Sequence, residues 1–205
     1  MHLEALKSEQ KKIFQKLNEF PDFYLAGGTA LALQIGHRIS VDFDLFSKKD
    51  ILPTLLQKAR RVFKYSKIKI ILNHSEQLSI TINGIKIDFV KYKFSLISGL
   101  KEFKNVKLSQ VSEIAAMKAY TLNYRGTYKD YVDLYFILKN KCTTLKEIKK
   151  IAEKKYKDDF NFRLFLEQLI YLGDIIPEKI EFLGKRVSKA EIENFFQKIV
   201  RETKI

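Results

Sequence analysis

The sequence has little of several residue types, and each shortage excludes something. Its single cysteine, Cys142, cannot form a disulfide within the chain, which favours a reducing, cytoplasmic environment. No apolar run approaches the ~20 residues that a transmembrane helix needs. Charged residues interrupt residues 1–20, so we expect neither a signal peptide nor a membrane partner. With only three prolines and eight glycines, the chain shows no low-complexity linker.

Acidic residues are also scarce relative to basic ones. The chain carries 24 aspartates and glutamates against 38 lysines and arginines, which gives a formal net charge of +14. Such an excess favours an anionic partner, and RNA or DNA is the first candidate. The basic residues are spread along the chain and form no recognisable RNA-binding motif, so a lysine-rich surface without such a partner stays an alternative.

The hydrophobic pattern predicts the fold class. Hydrophobic residues make up 46% of the 205 residues, enough for a sizeable core. The first half alternates between strand and helix patterns, whereas five segments beyond residue 109 are helical. We therefore predict an α+β fold: an α/β core over residues 1–108, which begins with an amphipathic helix, and a helical lobe over residues 109–205 packed on that core. Asn83-Gly84 lies between two alternating segments and predicts a two-residue β-hairpin.

One segment, "YLAGGTALALQIGHRISVDFDLFS" at residues 24–47, holds most of the residues that could carry chemistry. Gly27 and Gly28 form a turn before a helix, where the backbone can approach a phosphate without a Cβ in the way. The N–H groups at the start of that helix favour an anion. Thr29 either caps the helix or bonds to a phosphate oxygen. Because such turns are common, an ordinary tight turn stays an alternative.

Two aspartates follow the turn. Asp42 and Asp44 lie on a strand predicted over residues 40–47, and their spacing places both carboxylates on one face. Carboxylates placed in this way can hold two divalent cations roughly 3.5–4 Å apart. Asp88, in the second arm of the predicted hairpin, completes a three-carboxylate site if that arm neighbours the first strand. Such oxygen ligands suit Mg²⁺, which keeps substrate phosphates among its ligands. A solvated strand face is the alternative.

Other polar side chains of the same segment are candidates for further roles. Arg38 is a candidate contact to phosphate, and His37 ends the preceding helix. Ser40 points in the same direction as Asp42 if the strand is already extended there. Its hydroxyl then lies near the metals, where Ser40 is a candidate nucleotide-binding residue; the hydroxyl otherwise bonds locally or is itself modified.

The helical half adds a lysine and two acids. The glycine turn and the metal-binding carboxylates together suit a nucleoside triphosphate. Lys118 lies on a predicted helix and either reaches the triphosphate or the base of such a ligand or is an ordinary surface lysine. Asp130 and Asp133 are three residues apart, hence on one helical face. We favour Asp130 as the residue that orients Lys118 or Arg125, with Asp133 in a supporting position.

These motifs together resemble a known family. The Gly-Gly-Thr turn, His37-Arg38, Ser40, "DFDLF" and a later hydrophobic-Asp-hydrophobic strand resemble the DNA polymerase β superfamily of nucleotidyltransferases. The segment "YLAGGTALAL…GHRISVDFDLF" is similar to the corresponding segment of the AbiEii/AbiGii-type nucleotidyltransferase toxin family. The segment "EIAAMKAYTLNYRGTYKDYVDLYFI" resembles that family's lysine helix and the Lys-Asp-x-x-Asp-Leu helix that follows it. The likeness covers about residues 20–140.

The resemblance implies a nucleotidyltransferase-like mixed β-sheet flanked by helices, and it assigns roles to individual residues. The third metal-binding carboxylate varies in the toxin branch of the superfamily. The matching positions are Asp42 and Asp44 for the metal-binding pair, Asp88 for that third carboxylate, Gly28 and Thr29 for the triphosphate turn, Lys118 for the family's lysine and Asp130 for its late aspartate.

The implied reaction transfers a nucleoside monophosphate from a nucleoside triphosphate to an acceptor hydroxyl, with Mg²⁺ bound and pyrophosphate leaving. Related toxins act on tRNA and pair with a cognate antitoxin, so tRNA is the favoured acceptor and an antitoxin protein an expected partner. Two alternatives stay open. One is nucleotidylation of a protein hydroxyl, such as a serine. The other is a basic nucleic-acid-binding module that keeps the fold without catalysis.

Overall fold

The computed structural model describes residues 1–203, and these fall into two units. The first unit consists of residues 1–95 and 99–109, and the second of residues 96–98 and the chain from residue 110 onward. None of the helices described is long and apolar enough to cross a lipid bilayer.

The first unit is built on a seven-stranded mixed sheet with the strand order β3-β4-β5-β2-β1-β7-β6. The β2–β5 and β1–β7 pairs are parallel, and the other pairs are antiparallel. The α+β prediction with a mixed sheet and flanking helices is confirmed. The elements of this unit are α1 (Ser8–Phe14), β1 (Tyr24–Ala26), α2 (Gly27–Ile35), β2 (Phe43–Ser47), α3 (Thr54–Val62), β3 (Ile68–His74), β4 (Gln77–Ile82), β5 (Ile85–Lys91), β6 (Leu100–Phe103) and β7 (Val106–Ser109).

Strand β2 lies at the centre of the sheet and is buried in an alternating pattern. Phe43, Leu45 and Ser47 are buried, while Asp44 and Phe46 keep part of their surface exposed. Because successive side chains of a strand point to opposite faces, the apolar residues fill the core and the opposite face carries the carboxylate. The alternation thus fixes the direction in which Asp44 points.

The predicted hairpin at Asn83-Gly84 is confirmed, with β4 and β5 as its arms. Both turn residues have positive φ, 51° for Asn83 and 86° for Gly84, as a two-residue type I′ turn requires. A second hairpin joins β6 to β7 through Lys104 and Asn105, which also have positive φ. The sequence pattern did not predict this second hairpin, since neither of its turn residues is a glycine.

The predicted continuous N-terminal helix is wrong, although its apolar residues are buried. The chain forms a 3₁₀ turn at Leu3–Ala5, then α1, then another 3₁₀ turn at Leu17–Glu19. A tertiary hydrogen bond competes with a continuous helix, because the Ser40 amide donates to the Ala5 carbonyl at 3.2 Å. Within α1, Gln10 Nε2 donates to the Ser40 carbonyl at 2.5 Å. These bonds hold the segment before β2, which begins at Phe43 rather than at residue 40.

The second unit is helical, as predicted, and all five expected helices are present. Glu113 and Lys155 form an ion pair at 2.5 Å between side chains that are fully buried. Glu113 Oε2 also accepts hydrogen bonds from the Ile97 and Ser98 amides, which attaches residues 96–98 to this unit. The helices are α4 (Val111–Leu122), α5 (Tyr128–Lys139), α6 (Leu145–Tyr156), α7 (Phe162–Ile170) and α8 (Lys189–Glu202).

Gly84 gives a direct test of the hairpin. A Cβ at either Gly84 or Gly184 meets no atom within 4 Å, but only Gly84 has a positive φ. Replacing Gly84 by Ala should therefore lower the free energy of unfolding by about 1–2 kcal/mol through backbone strain alone. The Gly184→Ala variant should be unchanged or slightly more stable. Urea unfolding of both variants measures the difference, and equal stabilities would contradict the hairpin geometry.

Candidate active site

The predicted Gly-Gly turn is the start of α2, which follows β1 directly, and only glycine fits at its first two positions. Gly27 has φ +65°, and a Cβ there would collide with Asp44 Oδ2. At Gly28 a Cβ would lie 2.6 Å from Arg38 Nη2 and 3.3 Å from Ser40 Oγ. The N-cap of α2 is Ala26, which offers no side-chain cap. The turn therefore brings the helix start, a carboxylate and a guanidinium close together, in a form suited to an anion.

The register of the sheet explains why Asp44 lies against the glycines. Asp44 pairs with Ala26 of β1 on one side and with Asp88 of β5 on the other. Residues in register on neighbouring strands point to the same face, so the carboxylates of Asp44 and Asp88 are neighbours. The strand of Asp88 is thus the neighbour of the strand of Asp44, which is the condition that the three-carboxylate hypothesis set.

Asp88 is the most buried carboxylate of the group, with 8% of its surface exposed. Its Oδ2 accepts a hydrogen bond from Lys86 Nζ at 2.6 Å, whereas its Oδ1 has no hydrogen-bond partner within the described chain. Leaving a buried carboxylate oxygen without a partner is costly. An additional cation or donor at this position would therefore be favourable.

Asp42 lies just before β2 and is exposed. Its carbonyl oxygen bonds to Thr29 Oγ1, which also lies 2.8 Å from Ser40 Oγ. The buried Thr29 hydroxyl thus holds the segment that leads to Asp42, and its role as a phosphate ligand stays a prediction. Ser40 is buried as well. Its burial and its hydroxyl contact favour local bonding over modification.

Lys86 is a site residue that the sequence analysis missed. The hydrogen bond to Asp88 raises the pKa of Lys86; partial burial opposes this shift, and the negative charges of Asp88, Asp42 and Asp44 add to it. Lys86 Nζ therefore bonds directly to Asp88, and the negative charges of Asp42 and Asp44 further favour its charged form. The sequence did contain a signal for this contact, because Lys86 precedes Asp88 by two residues and side chains two apart on a strand share a face.

The three carboxylates have the donor chemistry that Mg²⁺ prefers. Within residues 1–203 no three metal-ligating side chains are gathered closely enough to hold an ion as they stand. The unpartnered Oδ1 of Asp88 and the place of Asp44 beside Gly27 nevertheless fit a cation held between Asp44 and Asp88. Asp42 can contribute from the segment that precedes β2.

Arg38 is nearly buried, with 5% of its surface exposed. Its Nη1 donates to the Ile39 carbonyl at 3.1 Å, and its Nη2 lies next to Gly28. This places a permanent positive charge at the start of α2, as a phosphate-binding role requires. His37 is buried just after Gly36, the left-handed residue that ends α2.

In the second unit, Lys118 of α4 is held by two carboxylates of α5. Its Nζ lies 2.8 Å from Asp130 Oδ1 and 2.7 Å from Asp133 Oδ2. Lys118 and Asp133 are both buried, so the surface-lysine alternative is wrong. Asp130 Oδ2 also accepts from the amide and hydroxyl of Thr127, which completes a capping box.

Charge dominates this cluster. Burial alone would lower the pKa of Lys118, but the charges of Asp133 and Asp130 and their hydrogen bonds raise it. Burial opposes the ionised form of Asp130, but the charge and hydrogen bond of Lys118 and the two hydrogen bonds from Thr127 lower its pKa. Lys118 is therefore a cation at neutral pH with a fixed direction.

Comparisons with known proteins define the class. The model of the family described as "Nucleotidyl transferase AbiEii toxin, Type IV TA system" matches residues 12–204. The chain belongs to this family, and it is a nucleotidyltransferase. A relative from Aquifex aeolicus (strain VF5), the uncharacterized protein aq_aa25, is 32% identical over 205 residues, which covers 98% of each chain.

Solved structures share the fold. A Helicobacter pylori protein, JHP933, has a TM-score of 0.57 at 16% identity and covers 96% of this chain and 94% of its own. The antibiotic-resistance factor ANT(2'')-Ia has a TM-score of 0.51 at 10% identity and covers 72% of this chain and 90% of its own. At such identities these likenesses establish the fold alone.

The Lys118 cluster gives a pH-dependent prediction. Because the pKa of Asp130 is lowered in the folded chain, its contribution is present above its ordinary value of 3.8 and is lost as the pH falls through the folded value. Asp130→Asn should cost about 3 kcal/mol of unfolding free energy at pH 7. The difference from the wild type should shrink below about pH 4.

Urea unfolding between pH 3 and pH 7 measures this difference. Asp50→Asn is the matched control, since it removes a carboxylate that is largely exposed and pairs with Lys91 on the surface. We expect that control to cost at most about 1 kcal/mol at pH 7. A cost for Asp130→Asn that is equally small, or that does not change with pH, would contradict the buried pair.

Proposed function

We propose that the chain transfers a nucleoside monophosphate from a nucleoside triphosphate to the hydroxyl of an RNA, with tRNA as the favoured acceptor and Mg²⁺ as the cofactor. The observation that carries the proposal is the place of Asp44. Its carboxylate lies against Gly27 at the start of α2, and its strand neighbour in register is Asp88. A helix start that favours phosphate and a carboxylate pair that favours a divalent cation are thus adjacent.

The parts of the site have separate tasks in this proposal. The amides of Gly27, Gly28 and Thr29 bind triphosphate oxygens, and Arg38 offsets their negative charge. Ser40 lies beneath the turn, in contact with Thr29. Binding in this position orients the α-phosphorus for in-line attack. The acceptor oxygen forms the new bond to phosphorus, the bond to pyrophosphate breaks, and the hydroxyl proton is released.

Asp42, Asp44 and Asp88 are the residues that would hold Mg²⁺. When bound, the metal neutralises phosphate charge and activates the attacking hydroxyl. The carboxylates fix its position, and the sheet holds two of them in register. The protein thus contributes position and charge rather than a covalent intermediate.

Lys118 and Asp130 of the second unit are further proposed catalytic residues. Lys118 presents a cation whose charge is secured at neutral pH by two carboxylates. We assign it to the triphosphate or the base of the nucleotide. Asp130 and Asp133 both bond to its Nζ, at 2.8 and 2.7 Å, so both orient it.

A lysine-lined groove in the second unit supports an RNA acceptor. The groove has a volume of about 1150 Å³, and α6 carries most of its basic residues at helical spacing. Lys149 lies over the ring of Phe162 at 5.1 Å, so cation and aromatic ring are interleaved. Such a lysine-rich surface suits a phosphate backbone. The basic lining residues are Lys141, Lys146, Lys149, Lys150 and Lys154.

We further propose a cognate antitoxin as a partner, in keeping with the family's description. A protein that blocks triphosphate binding or the RNA groove would silence the activity. Co-purification with the product of a neighbouring reading frame is the observation that supports this partner.

The activity is tested by incubating the protein with Mg²⁺, total RNA and each α-labelled nucleoside triphosphate in turn. We expect label in the tRNA fraction and a loss of at least about a hundredfold in Asp44→Asn, because removal of one preorganised charge costs that much in comparable sites. Asp50→Asn, an exposed carboxylate of the same unit, should keep wild-type activity.

The distribution of the label separates the alternatives. Label in protein rather than RNA would show that the acceptor is a protein hydroxyl, and the proposed active site would stand. RNA binding with no label in any fraction would favour the non-catalytic module. Equal labelling by the wild type and Asp44→Asn would remove the proposed site.

Charge reversal tests the groove. The double variant Lys146→Glu/Lys150→Glu should weaken tRNA binding by about tenfold or more near 0.1 M salt and should flatten its salt dependence, because fewer counterions are released. The matched control Lys64→Glu/Lys101→Glu makes the same change in net charge, but at exposed lysines of the first unit. Filter binding across a salt series measures both. Equal weakening by the two variants would show that net charge, not the groove, binds RNA.

A further inference from the structure

Lys86 lies beside the carboxylates of the candidate active site. Its Nζ is 2.6 Å from Asp88 Oδ2, and the charges of Asp42 and Asp44 also act on it. Lys86 and Asp88 are two residues apart on β5, so their side chains share a face. Asp44 lies on the same face of the adjacent strand. One ammonium group thus bonds to Asp88 on the face of the sheet that also carries Asp44.

This arrangement differs from an ordinary surface ion pair. Exposed pairs contribute little because water already solvates both partners. Here the Asp88 side chain is only 11% exposed, and the hydrogen bond from Lys86 is the one that the described chain gives to its carboxylate. Neighbouring carboxylates on paired strands also repel one another. A cation at this point therefore stabilises the group as a whole.

The Lys86 side chain is also free enough to move. It is 41% exposed, against 11% for Asp88. A lysine has a long flexible stem with a compact charge at its end, so the ammonium can leave Asp88 for solvent without a change in the backbone. The backbone of β5 stays paired with β2 and β4 in either position of the side chain.

We propose that Lys86 is a built-in counter-cation of the carboxylate site, which holds the site together without metal and must be displaced when a divalent cation binds. The inference rests on the proposed function, because it takes Asp42, Asp44 and Asp88 as metal ligands. It follows that the metal alone binds weakly, since binding breaks the Lys86–Asp88 hydrogen bond. A metal that arrives with the triphosphate gains the phosphate ligands that offset this loss, and the displaced ammonium then faces the phosphates.

The test measures the binding of Mn²⁺ alone, without nucleotide, by titration calorimetry on the full chain. Lys86→Gln should bind Mn²⁺ at least tenfold more tightly than the wild type, because no internal cation competes. Lys86→Arg keeps the charge and should bind close to the wild-type level. The control is Lys91→Gln, which removes another lysine of β5 that also lies 2.6 Å from a carboxylate, that of Asp50. It should leave Mn²⁺ affinity unchanged.

Thermal unfolding supplies a second readout that does not depend on activity. In the presence of a chelator, Lys86→Gln should unfold at a lower temperature than the wild type, and Mn²⁺ should restore more of its stability than it adds to the wild type. If Lys86→Gln folds only with Mn²⁺, the proposal is supported. If it stays unfolded with the metal present, the proposal is overturned, since a divalent cation should replace the missing charge.

The outcomes separate this inference from the proposed function. Equal Mn²⁺ affinity in the wild type and Lys86→Gln, abolished in both backgrounds by Asp44→Asn, would overturn the role of Lys86 while keeping the metal site. Absence of Mn²⁺ binding in both chains, or binding that survives Asp44→Asn, would overturn the metal site and this inference with it.

Discussion

The parallel pairing of β2 with β5 is the constraint on which the site depends. It places Asp44 beside Asp88, two like charges on one face of a sheet whose other face is packed with apolar side chains. Such a pair is unfavourable unless cations offset it. Much else in this unit can be understood as the provision of positive charge around that pair: Lys86 on β5, Arg38 beside the turn and the amino end of α2.

The fold can hold these charges close together because the backbone beside each short aspartate side chain is fixed. Asp44 is held in register on both sides, and the glycine turn approaches it so closely that no Cβ fits at Gly27. The segment before Asp42 is fixed by hydrogen bonds from Gln10 and Thr29. A preorganised site of this kind costs no rearrangement when charge develops on a phosphate. The mobile element is the Lys86 side chain, and its displacement connects metal binding to the triphosphate.

Local patterns in the sequence were sufficient for much of this description. The Asn83-Gly84 turn, the helices beyond residue 109 and the glycine turn follow from rules that act over a few residues. The position of Lys86 depends on which strands become neighbours, so its role follows only once β5 is paired. The broken N-terminal helix has the same origin, since its bonds to Ser40 are long-range. The three-residue spacing predicted that Asp133 shares a helix face with Asp130. It did not reveal that Asp133 is buried and bonds to Lys118 as closely as Asp130 does.

The central claim is that the carboxylate pair and the glycine turn form one triphosphate site. A crystal structure with Mg²⁺ and a nucleoside triphosphate analogue that cannot release pyrophosphate tests it most directly. We expect triphosphate oxygens on the amides of residues 27–29, a metal held by Asp44 or Asp88, and the Lys86 ammonium no longer bonded to Asp88. A triphosphate bound elsewhere on the chain, or a metal that contacts neither carboxylate, would contradict the account.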